Sequence, residues 1–325
     1  ECGMENTPPS INDLVNTTIG GMALGEITRR TAVMLRDNTA RGAGRFFREL
    51  GGAILDPVGG INRLTHGDMT WSSPNPDERF PSSFNATVDA GYRHVGDEDA
   101  KAIISLETTY GDPFAGEIRQ PFEYFALHVD FNSSGELASR VEGRGILKGW
   151  ELSDPSSSVR NILGFFQEYE YFANGAQVFG AQSYSATLLT RFALGSVLTA
   201  TTEVGLVGFP LAGIQTLDFA QADAAGPTRT YDYGPGGGAR AGGRIDFKKG
   251  PSAAATYSLL FSHTADGASN GSTLQLFNAY GRIPLFWRVG VGGGYSWYSR
   301  KTTYPGFFEA RRTQSEWRAY LSFEL

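Results

Sequence analysis

The sequence predicts an antiparallel transmembrane β-barrel of about twelve strands behind a helical N-terminal segment. Three observations carry that prediction. From Phe84 to Leu325 the apolar residues recur with a period of two. Glycine is rich, at 42 of 325 residues, while charged residues are only 19%. Some 240 residues shared among twelve units give about 20 each, which fits a spanning strand of ~9 to 11 residues with extensions and a connection. The mean hydropathy of −0.24 and the lack of any run of 18 apolar residues exclude a bundle of transmembrane helices, though not strands that alternate lipid-facing and lumen-facing residues.

The helical region comes first, over 1–70. Pro8, Pro9 and Ser10 form a start signal, with Asp13 three residues after Ser10 as in a capping box. Ile11, Leu14, Val15, Ile19 and Met22, then Leu24, Ile27, Met34 and Leu35, keep the helical period. A second stretch carries Phe46, Phe47, Leu50, Ile54, Val58, Ile61 and Leu64, with a break expected at Asp56-Pro57 because proline removes a backbone donor. Glycines such as Gly20, Gly21, Gly51 and Gly52 cost helix propensity and need a packing reason. The segment is expected to be periplasmic or to plug the lumen. A linker over 71–83, with Pro74, Pro76 and Pro81, leads into a barrel over 84–325.

The twelve strands are expected near 85–95, 100–110, 121–131, 139–152, 158–172, 177–192, 196–209, 230–248, 252–263, 271–282, 285–299 and 310–325. In the eleventh, Trp287, Val289, Val291, Gly293, Tyr295 and Trp297 share one face and Arg288, Gly290, Gly292, Gly294 and Ser296 the other. In the last, Trp317, Ala319, Leu321 and Phe323 alternate with Arg318, Tyr320, Ser322 and Glu324. A soluble sandwich can alternate in the same way. Connection lengths favour the barrel: those after strands four, six, eight (Lys249 to Pro251) and ten (Ile283-Pro284) are short, and those after seven (Leu211 to Arg229) and eleven are long. The stretch Gly111 to Gln120 after strand two breaks the pattern.

Assigning the polar parity to the interior builds a lumen charge lattice of Glu107, Arg140, Glu142, Arg144, Glu168, Glu170, Glu203, Arg240, Arg244, Arg288, Glu316 and Arg318, joined by Asp89, Arg93, Lys101, Lys148 and Asp246. The signs are roughly balanced. A selective pore concentrates one sign at its constriction, so the pattern favours an ion-pair lattice that largely fills the bore over a narrow solute channel.

Chemistry is sparse. The net charge of −6 disfavours a nucleic-acid partner. The single cysteine, Cys2, excludes an internal disulfide framework and a thiolate cluster for zinc, and no metal or cofactor is expected. His94 and His263 fall on the apolar parity, and His66 lies among the helices. His128 points inward, two residues before Asp130, so His128 and Asp130 with Ser133 or Ser134 form the best nucleophile-and-base set available. On a strand such a pair is more often plain lumen lining. The run Tyr231 to Gly238 lacks the Gly-Lys-Ser/Thr of a phosphate loop and suits strand bends instead.

Several phrases carry a family resemblance: Pro8-Pro9-Ser10-Ile11-Asn12-Asp13-Leu14, Ile19-Gly20-Gly21, Asp56-Pro57 with Gly60-Ile61-Asn62-Arg63-Leu64, Tyr169-Glu170-Tyr171, Gly180-Ala181-Gln182-Ser183 and Tyr231-Asp232-Tyr233-Gly234-Pro235-Gly236. The chain resembles a family of uncharacterised Gram-negative bacterial proteins, domain of unknown function 3943. The resemblance implies an envelope protein with a longer N-terminal part and implies no activity. The expected function is therefore an integral outer-membrane barrel of structural or transport-related role, partnered by outer-membrane lipid and by a small solute or lipid. The rival is an outer-leaflet lipid hydrolase with a His-based site near the extracellular rim.

Overall fold

Twelve strands, each pairing antiparallel with its neighbours in the sequence, close into a ring when the first pairs with the last. A computed structural model describes residues 18, 20–76, 79–96, 99–133, 138–174, 178–215, 231–248, 250–306 and 309–325. The strands are β1 (Phe84–Val95), β2 (Lys101–Tyr110), β3 (Phe125–Asn132), β4 (Arg140–Glu151), β5 (Val159–Ala173), β6 (Val178–Leu194), β7 (Leu198–Gln215), β8 (Tyr231–Phe247), β9 (Ser252–His263), β10 (Gly271–Phe286), β11 (Val289–Thr303) and β12 (Glu309–Glu324). Closure runs from Thr87 opposite Glu324 to Val95 opposite Glu316. It removes both sheet edges, so no row of unpaired backbone donors and acceptors faces outward.

The outer wall is apolar. Tyr92, Ile104, Trp150, Phe165, Leu188, Val204, Leu206, Ile245, Phe261, Trp317 and Leu321 are all exposed, and all lie on the parity opposite the charged residues. Water would penalise so continuous a belt, whereas hydrocarbon matches it. A closed antiparallel barrel with this wall has the architecture of an outer-membrane barrel. No described helix is long and apolar enough to cross a membrane.

The strands depart from expectation at three bends. A bulge between Ile146 and Lys148 sets Lys148 opposite the outward-facing Phe165, so Lys148 leaves the lumen. The strand holding Pro210 continues past a bulge between Phe209 and Ala212 to Gln215; the rest of the expected long connection, 216–229, lies outside the described residues. The tenth strand absorbs Ile283-Pro284 at another bulge, and the turn falls instead at Trp287 and Arg288. Trp287 is thus a 90%-exposed turn residue with φ of 52°, not part of the lipid-facing row of β11.

Three helices precede the barrel: α1 (Gly20–Leu35), α2 (Gly42–Leu55) and α3 (Pro57–Thr65). The break at Pro57 stands where proline requires it, and the Asp56 side chain caps α3 by accepting from the Gly59 N–H at 2.9 Å. The start signal around Ser10 and Asp13, and Cys2, lie outside the described residues. The helices contact the barrel through α1, against β4 and β5. Gly20 lets it approach: a Cβ there would meet the Tyr169 ring at 2.9 Å. The turn after α1 is strapped to the linker, since Asp37 accepts from Asn75 Nδ2 at 3.0 Å and pairs with Arg79 at 3.2 Å. The Asn75 and Thr39 hydrogen bonds hold the Asp37 carboxyl well below the usual range.

Candidate functional site

The bore contains three layers. At the middle, arginines of one wall reach carboxylates three strands away. Arg144 on β4 donates to Glu203 on β7 at 2.6 Å and pairs with Glu168 at 2.9 Å. Arg240 on β8 donates to Glu168 at 2.7 Å and also to Glu170, both on β5. Arg318 on β12 donates to Asp130 on β3 at 2.6 Å and to Glu316. Arg282 on β10 donates to Asp89 on β1 at 3.0 Å. Such chords are possible only where the bore is narrow, and they satisfy charges that burial would otherwise penalise. Small residues make the room: a Cβ on Gly242 would press on Thr256 at 2.9 Å and on the Glu203 carboxylate at 3.1 Å.

All twelve lattice residues face the interior or its mouth. Arg140 and Glu142 bond to each other at 2.8 Å. Arg244 bonds Asp246 at 2.8 Å where the bore widens. Arg288 sits in the β10–β11 turn and lines that mouth rather than a strand face. A cavity of about 250 Å³ remains between Glu107, Arg140, Glu142, Arg144 and Arg240.

Toward the end that carries the β1–β2 and β11–β12 connections, the bore is closed by apolar side chains. Phe172, Phe179, Phe209, Ile214, Leu260 and Leu274 form one buried cluster. Phe172 of β5 and Tyr298 of β11, on opposite sides of the ring, come within 6.2 Å between ring centroids. At the other end a chamber of about 1040 Å³ opens between Thr201, Arg244, Arg282 and Arg288. It is narrowed by the segment 111–124, which tucks Phe114 and Ile118 against Ile146, Ile162, Phe166 and Leu189. Arg191 clamps this segment, donating to both Asp112 oxygens at 2.8 and 2.9 Å while its guanidinium lies 4.2 Å from the Phe114 ring centre. Burial raises the Asp112 pKa, but the Arg191 bond and the Phe114 backbone N–H outweigh it and hold the carboxyl below its ordinary 3.8.

His128 Nε2 lies 2.8 Å from Asp130 Oδ1, so the expected pair exists. Asp130 is fully buried, however, and also accepts from Ser105 Oγ at 2.6 Å and from Arg318. Ser134 lies outside the described residues, and no described serine bonds His128. The pair sits in mid-strand facing the bore. No group of three metal-ligating side chains occurs among the described residues.

Sequence reasoning missed Phe172, Tyr298 and the inward-folded 111–124 segment. The signals were present: aromatic residues on the otherwise polar parity, and a connection too long for its side of the barrel.

No curated protein sequence matches the chain. Among solved structures the chain is similar to the NanC porin, at 12% identity and a TM-score of 0.40 over 74% of this chain and 100% of that one. It is also similar to an anion-selective porin from Comamonas acidovorans, at 9% identity and 0.32 over 75% and 99%. OmpT, an outer membrane protein of Vibrio cholerae, is similar at 8% identity and 0.31 over 75% and 97%. Residues 1–58 match the model of DUF3943, described as a domain of unknown function, the family that the sequence resembles.

Proposed function

We propose that the protein is a transport-related outer-membrane barrel whose bore is held closed in the conformation described, with a polar chamber sized for a small hydrophilic solute. The observation that supports this best is the contact across the full width of the bore between Phe172 and Tyr298. The chamber at the opposite mouth is wide and lined by both signs of charge, which suits a small polar or zwitterionic solute better than a simple ion of one sign. The lattice beneath it gives the wall rigidity, and the apolar cluster forms the barrier, since a constriction lined by apolar groups excludes water and ions.

Planar lipid bilayers test the reading. The wild-type protein is expected to insert with little or no steady conductance, and the double variant Phe172→Ala with Tyr298→Ala to conduct in clear steps. A wild-type channel already as conductive as that variant would refute the closed bore.

A further inference from the structure

The helical arm is built inside out. Its interior is polar: Arg36 donates to the Gly52 carbonyl at 2.9 Å, Arg45 to the Asn38 carbonyl at 3.0 Å, and Arg63 to Glu49 and to Asn38 Oδ1, each at 2.7 Å. Arg36, Asn38, Arg45 and Glu49 are all buried, whereas seven large apolar side chains of α2 and α3 are on the outside. Phe46, Phe47, Leu50 and Ile54 share one face of α2, and Val58, Ile61 and Leu64 one face of α3, every one between 47% and 71% exposed. Folding in water puts such faces together, so this arrangement matches a different solvent.

The position of α1 says which solvent. Gly20 lies against Tyr169 and Gln182, and Leu24 and Ile27 lie against Gly143. Tyr169, Gln182 and Gly143 occupy the outward parity: their strand neighbours Glu168, Ser183 and Glu142 face the bore. Arg30, near the far end of α1, reaches the Pro121 carbonyl at 2.8 Å, at the end of the barrel that bears the short turns. The helix therefore rests along the apolar wall, and α2 and α3 are tied to it, α2 packing on α1 and α3 on α2.

We infer that α1 to α3 form a lipid-embedded collar on the outside of the barrel, with the apolar face of α2 and α3 inserted among the acyl chains of the adjacent leaflet. The occupant of that face is phospholipid, because α1 seats the arm that carries it on a wall that already requires lipid. The inference rests on the outer-membrane reading of the barrel.

The test uses the full chain with Cys2→Ser, reconstituted in vesicles of phosphatidylethanolamine and phosphatidylglycerol. Nitroxide labels are placed singly through Ile54→Cys, Ile61→Cys, Arg48→Cys and Val204→Cys. Collision with oxygen reports lipid, and collision with a water-soluble nickel chelate reports water. Ile54 and Ile61 labels are expected to show an oxygen-to-chelate ratio several-fold above that of Arg48, on the polar side of α2, and close to that of Val204 on the barrel wall. Ratios at Ile54 and Ile61 equal to that at Arg48, with Val204 in lipid, would overturn the collar while leaving the barrel intact. Shielding of both sites from both reagents would overturn it in favour of a protein partner, such as a second copy. A water-exposed Val204 label would overturn the barrel reading and the collar with it.

Discussion

Replacing Arg240 by methionine should destabilise the barrel without opening it. Arg240 bonds Glu168 at 2.7 Å, Ser258 Oγ at 3.2 Å, and Glu170. After the change Glu168 keeps Arg144 at 2.9 Å and Ser185 Oγ at 2.6 Å, but Glu170 loses its one ion-pair partner among the described residues. Removing one member of a buried pair costs about 3–5 kcal/mol. The neighbouring cavity of about 250 Å³ has room for water, so the low end, about 3 kcal/mol, is expected. Adding Glu170→Gln removes the stranded charge and should return about 1–2 kcal/mol of that loss. Denaturant titration in vesicles, followed by tryptophan emission and by the folded band on unheated gels, gives both values. A methionine variant within about 0.5 kcal/mol of wild type, the range of an ordinary surface change, would refute the claim that these chords hold the wall. So would failure of Glu170→Gln to rescue.

Acidification should release the 111–124 segment. The Asp112 pKa is depressed in the folded state, so its stabilising pair with Arg191 is complete above 3.8 and is lost as pH falls further; amide hydrogen exchange at Phe114 and Ala115 should rise there, and Asp112→Asn should give the fast rate at every pH. Gly20→Leu should lift the start of α1 from the wall, because even a Cβ comes within 2.9 Å of the Tyr169 ring; protease cleavage within α1 should accelerate while the barrel's gel shift persists. His128→Ala should leave conductance unchanged, and any lipid hydrolysis by the wild type that it abolished would revive the enzyme reading. Pro57→Ala should fuse α2 and α3 only partly, since Asp56 still caps Gly59; circular dichroism should show a small gain in helix.

The barrel was legible because its two solvents leave a period-two record, with Trp317 and Leu321 on one parity of β12 and Glu316 and Arg318 on the other, and because the connection lengths favour a barrel over a sandwich that alternates in the same way. Balanced signs also announced the lattice, although not who pairs with whom. Arg318 with Asp130, or Arg240 with Glu168, depends on the stagger between strands three apart, and stagger is a property of the closed ring rather than of any local pattern. Bulges were equally hidden. One extra residue at Ile146/Lys148 reverses the parity of everything after it, which is why Lys148 was assigned to the wrong solvent.

The helical region shows a deeper reason why pattern underdetermines placement. Phe46, Leu50, Ile54 and Val58 make an apolar stripe, and by itself such a stripe asks only to be kept from water. Packing against another helix, insertion in the bore and burial in lipid all satisfy it equally. What separates them is the opposite face. If Arg36, Arg45 and Arg63 pointed to solvent, the stripes would be the seam of an ordinary helical pair. Because those arginines direct terminal guanidinium donors to carbonyls and side chains within the arm, the polar side is turned inward. The apolar faces of α2 and α3 are left without a protein partner among the described residues, and the outer wall on which α1 rests has the same need.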